Sequence, residues 1–526
     1  MNKQTPTTSP VDIDDVLKEL GFGRMQIFIF VGCFLMQIYV TNEQFGIGLL
    51  SVPASCDIDM SGYRVSWMLA LGMCSQILFS HYWGHFADER GRRMQLIVSL
   101  LTCMVLSLLT SLMPEYWSFL VCRFFVGCFL TGPGMGLVTY MSEFTKISLR
   151  PKVLIYLSYS QGIGMVYVAA MAMALLPSDI KIRLVGDYGI TSWRILFWIN
   201  LLPGIAGLII VWLSPESPKY YLSIHKEQEA MAVLEKCCRV NKGKDVTLKS
   251  LGIEYVTQPR RRSEVEVKFR SRNPFVRLWV NTKPLFRGKH LRFMLLALTL
   301  SFTLFATGFG LAIWIVRIFE ATEDTGGKAT LCELMYEHAM RKKEKNDTSF
   351  CVIELETLEY SMIIGVVCLC FFIVISLLLI CLNRKTIIIS FSFIAGCSGF
   401  LLNFVHWKPM VLIALIFLSM PSLCSLRLVH SVLVDVIPTH LRSKAMALST
   451  MMGRFGTMLA MIYVGYTYQV FCPITFNLFV VIILRELCKH IAYIFKLFLF
   501  SFWWTHVLAA KGCSSRYSER IIKSVI

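Results

Sequence analysis

Long apolar stretches separated by short polar ones repeat along most of this chain. Most are about 20 residues long, the length that an α-helix needs to cross the hydrocarbon core of a bilayer. The predicted spans lie at about 25–39, 65–83, 94–113, 117–140, 153–176, 193–213, 293–318, 360–381, 386–405, 409–434 and 445–466, with a last one from about 470. The pattern therefore predicts an all-α membrane protein with two sets of six helices and a substrate path between them.

The polar stretches between the spans divide the chain into domains. We expect a cytosolic N-terminus, a first six-helix bundle, a cytosolic linker, a second bundle with a luminal loop, and a basic, aromatic tail. In that order they cover residues 1–24, 25–214, 215–292, 293–484 (loop 319–359) and 485–526. Arg485 and Glu486 interrupt the last apolar stretch, so the pattern leaves the twelfth helix open.

A burst of charge from Gly84 to Arg93 lies between the second and third spans. Charge this dense does not lie in hydrocarbon, so we predict a tight turn at a membrane face. The excess is positive, which places the turn in the cytosol and orients every other span by counting.

The composition agrees with a membrane protein and argues against several other classes. Of 526 residues, 55% are hydrophobic and 16% are charged, against about 25% charged in a soluble chain. The net charge of +18 fits basic cytosolic loops that face an anionic leaflet, and without a soluble basic domain we expect no nucleic-acid partner. We expect no enzyme, metal or cofactor, because the chain has no HExxH, GxSxG or phosphate-loop motif.

An internal repeat supports paired halves. Glu143 is followed seven positions later by Arg150, and Asp435 by Arg442, each pair at the cytosolic exit of a matched span. The acid is placed to cap a helix end, while the Arg pairs with it or with a neighbouring acid. We interpret the two segments as a cytosolic latch that breaks and forms again between two states.

Several of these segments resemble a known family. The turn residues that fit the loop signature of the major facilitator superfamily are Gly84, Asp88, Gly91, Arg92 and Arg93. The stretch from Pro215 to Leu222 resembles the sugar-porter and organic-ion-transporter branch. Finer matches, to the synaptic vesicle glycoprotein 2 and related-protein family and closest to its arthropod-type members, lie at 21–24, 166–172 and 435–442.

The resemblance implies a twelve-helix transporter fold that works by alternating access. In such a fold Asp88 and Arg92 tie the second helix to the second half in one state, and the segments at Glu143 and Asp435 take the same gating role. We therefore predict a transporter of small polar or charged organic solutes, secondary active or facilitative, that is monomeric and lies in a plasma or secretory-vesicle membrane. The alternative is a transporter-like vesicle glycoprotein that regulates secretion without transport.

Two charged residues are candidates for substrate or ion coupling in the first half. Arg123 lies inside the fourth span, where an Arg either pairs within the bundle or extends to the membrane surface. Glu43 is the one acid inside the first span if that span reaches Val52, and a loop residue if the span ends at Tyr39.

Further candidates lie on later spans. Gln161, a polar group in an apolar span, either lines the cavity or bonds between helices. Tyr167 is a second candidate six positions later on the same span, and Trp314 is a weaker cavity candidate. Arg427 and His430 share a helical face and favour an anionic substrate, unless they pair with Asp435.

The luminal loop carries a glycosylation sequon at Asn346. Cys332 and Cys351 flank it, and in an oxidising lumen we expect them to form a disulfide. This loop is far shorter than the glycosylated domain of the vesicle glycoproteins, so a matrix-binding or toxin-binding role is not expected.

Overall fold

The computed structural model describes residues 11–58, 62–178, 180–185, 188–257, 283–287, 289–320, 330–333, 335, 355–437, 439–467, 471–486 and 488. Within this part, ten helices are long and apolar enough to cross a membrane. They form two bundles joined by a helical linker. We call the face that carries the charged turn the cytosolic face, after the positive-inside rule, and the opposite one the external face.

The first bundle begins with α2, whose second half, from Met36 to Leu50, is almost entirely buried, while Ile27, Phe28 and Val31 of its first half are exposed. Its helices are α2 (Arg24–Leu50), α3 (Gly62–Arg90), α4 (Arg92–Ser111), α5 (Tyr116–Glu143), α6 (Arg150–Leu175), and the consecutive α7 (Ser192–Asn200) and α8 (Leu202–Leu213). On the external face a short antiparallel hairpin, β2 (Lys181–Val185) and β3 (Tyr188–Thr191), leads into α7.

The linker packs against the first bundle on the cytosolic face. It contains α9 (Pro218–Ser223), α10 (Glu227–Lys242) and strand β4 (Val256–Thr257), which pairs in parallel with the N-terminal β1 (Val11–Asp12). Between them α1 (Ile13–Leu20) buries its apolar face in the same core as Leu234, Cys237 and Cys238 of α10. The N-terminal segment is therefore clamped to the linker.

The second bundle repeats the long helices but breaks its first span in the middle. Its helices are α11 (Lys289–Phe305), a π-helical turn (Ala306–Gly310), α12 (Leu311–Glu320), α13 (Leu355–Cys381), α14 (Arg384–Leu401), α15 (Lys408–Val436), α16 (Thr439–Thr467) and α17 (472–486). A π-helical turn widens a helix locally and is frequent at functional sites.

Helix α3 differs from the prediction at its cytosolic end. The helix continues to Arg90, so Asp88 is helical and the turn is only Gly91, with φ of 100°. The predicted span was too short because a membrane helix extends past the hydrocarbon into polar surroundings, where charged residues no longer oppose it.

The prediction of a disulfide between Cys332 and Cys351 was wrong about the partner of Cys332. Cys332 is bonded to Cys472, at the start of α17, with a Cα–Cα distance of 5.4 Å. Cys351 lies outside the described residues. The sequence pattern pointed to Cys351 because it lies in the same loop, whereas the bundle brings the start of α17 beside Cys332.

Candidate functional site

The centre of the first bundle holds a buried ion pair between α2 and α5. An Arg123 guanidinium nitrogen lies 2.7 Å from a carboxylate oxygen of Glu43, and a second donates to the Glu43 backbone carbonyl at 3.1 Å. Only 4% of the Glu43 side chain and 8% of the Arg123 side chain are exposed. The hydroxyl of Ser107 on α4 donates to the other oxygen of Glu43.

The pair forms because α2 continues as a helix through its polar residues. Its last turns include Thr41 and Glu43, and the helix reaches Leu50. Glu43 is therefore a residue of the first span, and Arg123 points into the bundle. Both side chains are almost fully buried. Either charge without its partner would be strongly destabilising.

A small cavity of about 30 Å³ opens beside this pair. Helices α2, α3 and α5 form most of its wall, while Ile313 of α12 and Met461 of α16 close it from the second bundle. Polar groups on the wall are Glu43, Gln44, Gln76 and Arg123, and the rest of the lining is largely apolar. This mixture of polar and apolar groups suits a small polar molecule.

Three other predicted candidates do not line this cavity. The Tyr167 hydroxyl donates to the backbone carbonyl of Ile199 on α7 at 2.9 Å, so it forms a hydrogen bond between helices. Gln161 is buried on α6, next to the contact of Gly162 with Leu369 of α13. Trp314 is buried in the apolar core at the joint between the bundles.

Sequence reasoning missed Arg454 of α16. It is buried and donates to the backbone carbonyl of Gln76 on α3 at 3.1 Å, so it joins the two bundles. The sequence did contain a signal for Arg454, because an Arg inside an apolar span is as costly there as at position 123.

The charged turn is tied to the first bundle. Arg92 bonds to Asp88 at 2.9 Å and to Glu143 of α5 at 3.3 Å. Arg93 donates to the backbone carbonyl of Val211 at 3.3 Å. Gly84 is exposed and has open space around it.

Glu216 of the linker, which sequence reasoning did not single out, caps α4. Its carboxylate accepts from the backbone N–H groups of Arg93 at 2.9 Å and Ser217 at 2.8 Å. Burial raises the pKa of the Glu216 carboxyl, although the N–H groups act against it. A carboxylate at a helix N-terminus also complements the helix dipole.

Asp14 of α1 links three segments on the cytosolic face. It accepts from Arg150 at 2.7 Å and from Lys219 of α9 at 2.5 Å. Burial alone would raise the pKa of Asp14, but Lys219 and Arg150 outweigh it and the pKa lies below its ordinary value of 3.8. Burial lowers the pKa of Lys219, and Asp14 offsets part of this.

The predicted latch thus takes a different form from a Glu143–Arg150 pair. Glu143 bonds to Arg92 and Arg150 bonds to Asp14, the neighbouring acid that the spacing allowed. All these partners belong to the first bundle, its N-terminal helix or the linker. The side chains of Asp435 and Arg442, like the whole of Asn346, lie outside the described residues.

Comparison with known proteins places the chain in a family. The model of the family described as "Sugar (and other) transporter" matches residues 25–322. The chain belongs to this family. The xylose transporter XylE from E. coli, in a partially occluded inward open conformation, superposes with a TM-score of 0.60 at 13% identity, covering 88% of this chain and 97% of that one. The nucleoside transporter NupG superposes with a TM-score of 0.56 at 10% identity over 89% and 99% of the two chains.

Curated relatives of this family member include vesicle proteins. Synaptic vesicle glycoprotein 2A of Rattus norvegicus is 26% identical over 329 residues, which is 59% of this chain and 44% of the relative. Synaptic vesicle glycoprotein 2C of Mus musculus is 27% identical over 223 residues, 42% of this chain and 30% of the relative. The chain thus spans less than half the length of these relatives. They are mammalian, so the arthropod-type assignment stays a prediction.

Proposed function

We propose that the protein moves a small polar or charged organic solute across a membrane by alternating access. The observation that carries this proposal is the Glu43–Arg123 pair on the wall of a cavity between the bundles. A buried ion pair adds little stability compared with apolar packing. Its position beside a cavity therefore favours a role in binding or coupling.

The pair can couple solute binding to a movement of the helices, because a proton or a charged solute can replace one partner of the pair. A proton on Glu43, or a charged solute near Arg123, removes the attraction that holds α2 to α5 at this point. Both helices line the cavity, and so does α3, which joins the second bundle through Arg454. A change at the pair thus reaches the contact between the bundles.

The contacts between the bundles support a state that is open to the cytosol. Near the external face, Trp67 donates to the Tyr466 hydroxyl at 3.0 Å, and Ser66 packs against Gly465. Gly84 lies five turns further along α3, at about 3.6 residues per turn, so it shares the face of Ser66. It is exposed with open space around it. Solute access from the cytosolic face follows from this arrangement.

Uptake by the purified protein in proteoliposomes tests the proposal. Labelled xylose, uridine and phenylacetate are offered with and without an inward proton gradient, as a sugar, a nucleoside and an organic anion. We expect saturable uptake of at least one, and a loss of tenfold or more in Glu43→Gln and Arg123→Gln. Glu115→Gln, an exposed acid at the start of α5, is the matched control.

The outcome separates the proposal from its competitor. The alternative is a secretion regulator without transport, with which relatives named synaptic vesicle glycoproteins are compatible. If folded protein takes up none of the three solutes under any gradient, the alternative is favoured. If uptake is unchanged in both charge variants, the Glu43–Arg123 pair is not the coupling site.

A further inference from the structure

One face of α15 carries two basic side chains toward the interior of the second bundle. Arg427 and His430 are three residues apart, so they lie on the same side of the helix. Cys424, one turn earlier on that side, is buried, and its sulfur lies 4.0 Å from the backbone carbonyl of Cys368 on α13. The ring of Phe305 on α11 lies 6.5 Å from the His430 ring. This face therefore does not point to lipid.

The two basic groups have no acidic partner among the described residues. An Arg side chain is permanently charged and carries five N–H donors. None of the N–H donors of Arg427 bonds to another residue within the described part of the chain. The Nε2 atom of His430 is buried and has no hydrogen-bond partner in that part either. Arg427 is only partly exposed, and an unpaired cation inside a helix bundle is costly, so its counter-charge comes from elsewhere.

Asp435 is a poor source of that charge. It lies eight residues after Arg427 on the same helix, which is about 12 Å along the axis at about 1.5 Å per residue. Side-chain pairs along a helix form at three or four residues. The spacing thus does not favour a pair between Arg427 and Asp435 along this helix.

An aromatic stack runs beside this face. Phe45 of α2 stacks on Phe309 of the π-helical turn, and Phe309 stacks on Phe305, with ring centroids 5.3 Å apart in both pairs. Phe305 also fills the space that Gly453 of α16 leaves by having no side chain. The stack offers an apolar surface that runs from His430 toward the helix of Glu43.

We propose that Arg427 and His430 bind the anionic group of a small organic anion, whose apolar or aromatic body packs along the stack of Phe305 and Phe309. This inference rests on the proposed transport function and names its substrate class. The guanidinium gives a forked pair of donors that matches a carboxylate or a phosphate, and His430 Nε2 adds one more donor in its N–H form.

Binding to the full-length protein in lipid nanodiscs tests the site without requiring transport. The probe is phenylacetate, and phenylacetamide is its neutral match in shape. Thermal unfolding at increasing probe concentration gives an apparent dissociation constant. We expect protection by phenylacetate and at least tenfold weaker protection by phenylacetamide, because only the anion gains charge-assisted hydrogen bonds.

Variants connect this binding to the two residues. Arg427→Gln weakens the apparent affinity for phenylacetate tenfold or more, and Arg427→Lys, which keeps the charge but not the fork, gives an intermediate value. Arg384→Gln, an Arg at the start of α14, and Asp435→Asn leave it within about twofold. A change in Asp435→Asn as large as in Arg427→Gln means that Asp435 is the partner and overturns the proposal.

Two further results also overturn it. One is equal protection by phenylacetate and phenylacetamide, and the other is no protection of the wild type by phenylacetate, terephthalate or phenyl phosphate. Uptake of a neutral solute together with either result leaves the transport function standing. If phenylacetate binds through Arg427 but no solute is transported, the anion site is supported and the proposed transport function is contradicted.

Discussion

At the scale of residues, Glu43 and Arg123 stabilise each other at a place where neither charge is stable alone. Their side chains are almost fully buried, and Ser107 completes the hydrogen bonding of the carboxylate. Removing one partner leaves an uncompensated charge, which costs far more than the intact pair contributes.

We predict that Arg123→Gln lowers the free energy of unfolding by about 3–5 kcal/mol. The double variant Glu43→Gln with Arg123→Gln should recover a large part of this loss, since two neutral amides leave no buried charge. Thermal or denaturant unfolding in detergent of the wild type, both single variants and the double variant measures the coupling. Additive losses would show that the two side chains do not interact.

Gly91 and Gly84 give a second prediction. Gly91 has φ of 100°, and a Cβ there would collide with the Glu216 carboxylate. Gly91→Ala should therefore cost about 1–3 kcal/mol of unfolding free energy. Gly84→Ala, within helix α3 and in open space, should be neutral or stabilising by up to about 1 kcal/mol. Unfolding midpoints of the two variants decide this, and equal effects contradict it.

The sequence identified Glu43 and Arg123 separately but did not pair them. Eighty positions separate them, and only the packing of α2 on α5 brings them together. Gln76 and Arg454 show the same limit, because their bond crosses between the bundles. A costly residue type is visible in a sequence, whereas its partner is set by the tertiary structure.

At the scale of elements, α1 is held by both apolar burial and charge. Its core residues pack on α10, and Asp14 bonds to Arg150 and Lys219. The pKa of Asp14 is lowered, so its contribution is complete above its ordinary pKa of 3.8 and is lost as the pH falls through the lower folded value.

We predict that docking of α1 does not change between about pH 5 and pH 8, because Asp14 stays ionised throughout. Asp14→Asn should loosen the helix across this whole range. Hydrogen exchange of residues 13–20, corrected for its intrinsic pH dependence, measures the effect, with the exposed Asp15→Asn as control. Faster exchange of the wild type near pH 5 would contradict the assignment.

At the scale of the whole molecule, α3 contacts the second bundle through Ser66, Trp67 and Gln76, whereas Gly84, further toward the cytosol, is exposed with open space around it. We predict that Gly84→Cys reacts rapidly with a membrane-impermeant maleimide applied from the cytosolic side, while Ser66→Cys is protected from either side. Peptide mass spectrometry separates each from the native cysteines. Rapid labelling of Ser66→Cys in the absence of solute would mean that the resting state is open to the exterior.

The disulfide gives a prediction at the same scale. Cys332 and Cys472 are 140 residues apart in sequence, so their bond restricts a long loop. Cys472→Ser should lower the free energy of unfolding by about 2–4 kcal/mol, and Cys351→Ser should leave it unchanged. Peptide mapping without reduction identifies the bond, and a Cys332–Cys351 peptide would contradict it.

The overall architecture followed from the sequence because apolar length is a strong signal for membrane helices. The ends of the helices could not be predicted from the sequence, since polar residues such as Asp88 remain helical outside the hydrocarbon. The π-helical turn at 306–310 also gave no signal, because it depends on how Gly308 and Gly310 pack on α15 and α16.

The pairing of Val11 and Asp12 with Val256 and Thr257 sets an order of biosynthesis. A ribosome adds about 5–20 residues per second, so roughly 10–50 s pass between the two strands. During that time all six spans of the first bundle are made while α1 still lacks its partner helix α10. A segment that is translated before the first span is thus the last to be fixed in the first bundle, and it is held there only when the linker has emerged.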